Sequence, residues 1–171
     1  MPAIYVCPKS LVPDAARQLR PSHLITLLDP SDEMPTPGEI AGHRHLKLGM
    51  HDIQTARADF VAPDEMHVRE LIAFAKQWDR TQPMLIHCWA GISRSTASAF
   101  TIACMLNEPG REHDIARLLR ARAAHAQPNP RIVAIADALL RRGGNMVDAV
   151  DAMGPGRVVF EGELFSLPVT V

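Results

Sequence analysis

Two short apolar runs bounded by Pro and Asp, residues 4–7 and 23–28, flank the amphipathic stretch 14–19. Runs of that length between turn formers predict strands, and the stretch between them predicts a short helix. After the loop carrying Pro35, Pro37 and Gly38, residues 43–48 alternate polar and apolar, which predicts a third strand ended by Gly49. No period runs through residues 50–62, and a connection of that length in a compact chain commonly carries function. Pro63, Asp64 and Glu65 then open a helix whose apolar positions Val68, Leu71, Ile72, Ala75 and Trp78 recur at three and four, ending near Asp79. Residues 84–87 predict a fourth strand, and residues 95–106, small and apolar throughout, a central helix broken by Pro109 and Gly110. Ile115, Leu118 and Leu119 mark a further helix, and residues 130–140 another, closed by Gly143 and Gly144. A short helix is expected after Asn145 and a turn at 154–156. The apolar, extended tail 158–171 has no predicted place.

Strands interleaved with helices, then helices alone, predict one α/β domain with a short, mostly parallel central sheet flanked by helices. Ligands of such sheets bind beyond strand C-termini. The length of 171 residues fits one domain, its core expected over about 4–142 with 143–171 as a C-terminal extension.

Composition removes several classes. A net charge of −1 gives no global field toward nucleic acid or an anionic membrane, so neither is an expected partner. Three well-separated cysteines, Cys7, Cys88 and Cys104, make a poor disulfide framework and fit a reducing, cytoplasmic setting. No run approaches the length of a membrane helix.

The chemistry concentrates at the fourth strand-to-helix junction, HCWAGISRS, from His87 to Ser95. Cys88 leaves a buried strand, Gly91 permits a tight loop, and Arg94 and Ser95 begin a helix. A helix N-terminus, loop amides and a guanidinium fork together suit an oxyanion. The same field is the setting in which a thiol ionises most readily. A nucleophile and an anion cradle thus coincide, as attack on a phosphoryl group requires. The combination of residues would arise in about one random shuffle in 20,000.

This segment resembles the phosphate-binding loop of the cysteine-dependent protein tyrosine phosphatases, its Ser-Arg-Ser ending being most similar to the dual-specificity branch. The resemblance implies a single α/β domain and phosphate monoester hydrolysis through a phosphocysteine, without cofactor or metal. Cys88 would be the nucleophile, Arg94 the phosphate grip and Ser95 the sulfur's hydrogen-bond partner. Trp89, Ala90, Gly91, Ile92 and Ser93 would complete the phosphate loop. A looser match spans about residues 4–140, where PNPRIVAIA resembles the family's Pro-Asn helix start, with Asn129 holding the loop. Its substrate would be a phosphorylated protein or a small phosphate monoester. The tyrosine-recognition loop and Trp-Pro-Asp motif of the larger tyrosine-specific enzymes have no counterpart, implying a shallower pocket. The loop positions at which lipid phosphatases carry Lys are apolar or Ser here, which ranks inositol lipids below phosphoprotein.

The resemblance puts the general acid in the unpatterned loop, where Asp52, Asp59 and Asp64 compete. Asp52 is preferred because it directly follows a strand, where a residue is held more firmly. His87 should point away from the pocket and support it structurally. Cys7 and Cys104 read as buried hydrophobes, and His43, His45 and His51 as surface residues rather than metal ligands. Trp89 either borders the pocket or packs against the loop. Arg117, Arg120, Arg122, Arg141 and Arg142 read as solvated helix faces. A phospho-binding module with little catalysis, a sulfurtransferase and an arsenate reductase are the competing functions.

Overall fold

In a computed structural model, which describes residues 3–170, five strands form one sheet: β1 Ala3–Pro8, β2 His23–Leu28, β3 His45–Gly49, β4 Met84–Cys88 and β5 Phe165–Pro168. Their spatial order is β3-β2-β4-β1-β5, parallel except for β5, which runs antiparallel to β1. The helices are α1 Val12–Leu19, α2 Glu65–Lys76, α3 Arg94–Leu106, α4 Glu112–Arg122, α5 Pro130–Leu139 and α6 Asn145–Met153.

Alternation along the strands divides the core. Ile4, Val6, Ile25, Leu27, Met84, Ile86 and Cys88 pack with α2 to α6 in the larger cluster. Cys7, Leu24, Leu28 and Leu85 pack with Val12 and Ala15 of α1 in the smaller one, closed by Met34 and Ile40 from the Pro-rich loop. Burial holds both remaining thiols neutral, Cys7 pushed up to about 12 and Cys104 higher still.

Helix ends follow their local chemistry. The Asp64 side chain accepts from the His67 amide and the His67 ring from the Asp64 amide, a reciprocal cap that starts α2. α2 stops at Lys76, short of the expected Asp79, yet Trp78 remains buried and its indole N–H donates to the Gln82 carbonyl. β3 begins at His45 because residues 42–44 form a 3-10 turn.

The tail unplaced by its pattern joins the sheet edge. β5 pairs with β1, and the Asn107 side-chain amide donates to the Val169 carbonyl. A second departure concerns Arg142, expected on a solvated face: it is buried, and Nη1 donates to Glu112 Oε1 at 3.0 Å. Its Nη2 donates to the carbonyls of Cys104 and Asn107, closing the end of α3. Asn107 Nδ2 covers the Ala103 carbonyl, and the cation drawn inward meets carbonyls at the end of α3 that would otherwise lack a side-chain donor. Arg120 likewise donates to the carbonyls of Ala124 and Gly154.

Glu112→Ala should lower the unfolding free energy by about 3–5 kcal/mol, because it strands a buried guanidinium. Urea titration of Glu112→Ala against the double variant Glu112→Leu/Arg142→Met checks this, with the double variant recovering most of the loss.

Candidate active site

Between Cys88 and Arg94 the chain turns from the end of β4 into α3, and its carbonyls are held from outside. The Cys88 carbonyl meets the His87 ring Nδ1 at 3.1 Å. The Trp89 carbonyl accepts from the Lys9 amide at 3.0 Å and the Ala90 carbonyl from the Gly162 amide at 2.8 Å. The Ile92 carbonyl accepts from the Gln127 amide at 2.9 Å and the Ser93 carbonyl from the Asn129 amide at 3.2 Å. In a planar trans peptide the N–H points opposite to the C=O of the same unit. Five outward carbonyls therefore turn the amides of Trp89, Ala90, Gly91, Ser93 and Arg94 to the inner side of the loop. That is a nest for an anion, extended by the positive end of α3.

Close folding of the loop explains its glycine. Gly91 has φ +70, and a Cβ there would lie 2.7 Å from the Pro8 nitrogen and 2.8 Å from the Cys7 carbonyl carbon. Both the left-handed backbone and the contact with β1 exclude a side chain. Gly162 meets the same limit from the tail, where a Cβ would stand 2.5 Å from Nε2 of buried His125.

Cys88 Sγ lies 3.1 Å from Ser95 Oγ, both residues being buried. The Arg94 side chain is buried too, and its Nη1 donates to Asp29 Oδ1 at 2.7 Å and to the Met50 carbonyl at 2.6 Å. Its Nε–H is buried with no partner. The guanidinium is thus tethered at Nη1, leaving the Nε and Nη2 edge, the fork that fits two oxygens of a phosphate.

The structure separates the three acids by position. Asp52 Oδ1 accepts from Ser93 Oγ at 2.7 Å and from Asn129 Nδ2 at 2.8 Å, joining this carboxylate to the loop after Cys88 and to the start of α5. Asn129 Oδ1 accepts from the amides of Arg131 and Ile132, so one side chain caps α5 and holds Asp52. Asp59 is exposed in a left-handed turn, and Asp64 is spent as the cap of α2. The ends of this loop are tied by Val61 N–H to His51 Nδ1 at 2.9 Å and His51 N–H to the Val61 carbonyl at 2.8 Å. Phe60 packs edge-on against the His51 ring, placing it at a cleft of about 450 Å³ shared with Asp29, Asp52, Trp89 and Arg94. Trp89, 55% exposed, borders this cleft.

His87 lies on the opposite face of β4 from Cys88, and there it heads a buried polar chain. Its Nε2 meets Thr26 Oγ1 at 2.7 Å, Thr26 Oγ1 meets His45 Nε2 at 2.8 Å, and His45 Nδ1 meets Thr36 Oγ1 at 2.7 Å. Burial pushes both imidazoles down to about 4, so both are neutral at neutral pH. A carbonyl can only accept, so His87 carries its proton on Nδ1 toward Cys88 and accepts from the Thr26 hydroxyl at Nε2. Thr26, its one proton used, accepts from His45 Nε2–H, and His45 Nδ1 accepts from Thr36. His45 is therefore a half-buried link with both ring nitrogens occupied, not the surface residue its alternating strand predicts. Asp29 was not singled out by the sequence; an acid directly after an apolar strand, at the end where ligands bind, was its available signal.

Residues 53–127 match the family model for the protein-tyrosine phosphatases, a span that contains the whole loop but neither Asp52 nor Asn129. Among solved structures, the crystal structure of DUSP15 matches with a TM-score of 0.59 at 19% identity, covering 90% of this chain and 89% of that one. The PTP-2 phosphatase of Cydia pomonella gives a TM-score of 0.61 at 20% identity, over 79% of this chain and 84% of that one. Human DUSP28 gives 0.57 at 15% identity, over 88% and 95%. A comparison with curated protein sequences finds no match. The match makes residues 53–127 similar to the protein-tyrosine phosphatases, and the fold is one shared with the dual-specificity phosphatases. Among the described residues no helix is long and apolar enough to cross a membrane.

The neutral imidazoles set an acid dependence of stability. His87 in the fold titrates near 4, against an ordinary value of 6.5. Between those values the unfolded chain binds a proton that the folded chain refuses. Stability is therefore complete above pH 6.5 and falls as pH drops toward 4, by about 3 kcal/mol from this residue alone. Melting temperatures of wild type and His87→Gln between pH 7.5 and 4 measure it; the variant should show the shallower slope.

Proposed function

We propose that the protein hydrolyses phosphate monoesters, foremost phosphotyrosine in phosphoproteins, through a covalent phosphocysteine. The observation that carries this reading is Arg94 Nε–H, a buried charged donor without an acceptor on the loop whose five amides turn inward after Cys88. A donor of this kind costs the fold free energy unless an anion meets it. A dianionic phosphoryl group placed there receives the amides and the guanidinium edge on its non-reacting oxygens.

In the first step the Cys88 sulfur attacks phosphorus in line, the P–O bond to the leaving group breaks, and the leaving oxygen takes a proton from Asp52. Two donors already occupy Asp52 Oδ1, so the transferable proton sits on Oδ2. In the second step Asp52 recovers a proton from a water that attacks phosphorus, and the P–S bond breaks with release of inorganic phosphate. Ser95, 3.1 Å from the sulfur, hydrogen-bonds it as it departs. Asp29 is a positioning residue that aims Arg94. The charge that develops falls on groups already fixed in place, which is where phosphoryl transfer gains most of its rate.

Preference for an aryl ester is supported by the cleft wall, where His51, Phe60 and Trp89 offer aromatic faces to the leaving group. The neutral chain behind β4 enters as support, since it holds the Cys88 carbonyl outward.

Release of phosphate from p-nitrophenyl phosphate tests the mechanism. Turnover should be unaffected by chelator and absent in Cys88→Ser, which should still bind vanadate. A Cys88→Ser protein active near the wild-type rate would end the covalent reading. Arg94→Lys should lower kcat by about 100-fold or more, because an ammonium cannot make the paired bonds of the fork. Asp52→Asn should slow phosphotyrosine far more than p-nitrophenyl phosphate, whose leaving group needs less protonation; the same pattern from Asp59→Asn instead would move the acid to that residue.

A further inference from the structure

Beside the catalytic cleft lies a larger groove, about 750 Å³, between the Pro-rich loop and the tail. Met34, Pro37 and Pro13 form its apolar floor and walls, with Lys9, Trp89 and Phe160 among its lining residues. Trp89 lines the groove and the cleft alike. The Lys9 ammonium stands 5.2 Å from the centre of the Trp89 ring, holding the indole as a partition between the two spaces. Phe160, 93% exposed, is an aromatic kept in water on a segment otherwise anchored by the Gly162 bond to the phosphate loop.

Resting on the phosphatase reading, and specifying its substrate, we infer that this groove receives an apolar side chain of the substrate polypeptide within a few residues of its phosphotyrosine. Continuity decides the occupant. A chain that places its phosphate against Arg94 leaves the cleft past Trp89, and the next wall it meets is apolar. The groove's charged residues are Lys9 and Arg17 against Glu39 and Glu161, of mixed sign, so it offers no field for a second phosphate or a polyanion. Thr36, whose hydroxyl begins the polar chain to His87, holds the Pro-rich wall to β3. The wall is thus set before substrate arrives, which reduces the ordering cost of binding.

The test uses phosphotyrosine peptides that differ only in carrying Leu, Phe or Ser at each of three positions on either side, with p-nitrophenyl phosphate as the control. The expected result is a kcat/KM at least about tenfold higher for an apolar residue at one or more positions, the scale of burying one apolar side chain. Phe160→Asp should abolish that preference while leaving p-nitrophenyl phosphate turnover unchanged. The same peptides titrated against Cys88→Ser should show the same order of Kd, and this arm reads the groove whether or not the wild type turns over. No apolar preference in either arm, or a preference that survives Phe160→Asp, overturns the inference. So does a wild-type dimer that Phe160→Asp converts to monomer, since the face would then belong to a second copy. A wild type inert toward every aryl phosphate sinks the phosphatase reading instead, with the Kd order still deciding the groove.

Discussion

The direction of a few peptide groups governs this molecule. Planarity couples each amide to the carbonyl of its own unit, so an anion nest can be built only by finding acceptor-side partners for the carbonyls that must face away. Those partners come from the start of the 3-10 turn after β1, from β4 itself, from the segment before α5, from the cap of α5 and from the tail. Most of the fold meets at the back of one loop. The parallel sheet brings β1 and β4 side by side, so that Pro8 faces Cys88 in register and leaves room for Gly91 and for nothing larger.

Charge is handled by the same economy of position. A chain of near-zero net charge attracts no anion from a distance, yet it confines one guanidinium in a site of low exposure and tethers it at a single nitrogen. Asp29 and the Met50 carbonyl offset part of the burial cost and leave the Nε edge without a partner. At the far end of α3 a second buried guanidinium, Arg142, closes the carbonyls, so this helix has a cation at each terminus in different roles. At the N-terminus the helix field opposes the cation and favours its anionic ligand.

The first four strands, the helices and the tight loop after Cys88 were legible because each rests on local chemistry: apolar period, caps, a glycine, and a cysteine placed before a helix start. The Asp52 and Asn129 contact was half legible, since each residue stood out alone while their meeting depends on two loops converging. What escaped is non-local. Phe165 and Leu167 form a two-point apolar alternation, too short to distinguish an edge strand from a loop until β1 offers its free side. Arg142 looked solvated because nothing near it in the chain announces that Glu112 and the end of α3 are waiting. His45 sat on an alternating strand among other histidines, and its half-burial goes with Thr26 of the neighbouring strand and Thr36 of the Pro-rich loop meeting its two nitrogens.

The bond from Gly162 to the Ala90 carbonyl links the loop between Cys88 and Arg94 to a segment made long after it during synthesis. While the chain is growing, β4 and α3 are already outside the ribosome, but one of the carbonyls that must be turned away has no partner and the edge of β1 is still bare. The Cys88 thiol therefore precedes the completed loop in time. A nascent chain would carry an ordinary buried-strand cysteine, and the ring of outward carbonyls would be completed only when the closing strand docks, making the amide nest one of the last features of the molecule to be assembled.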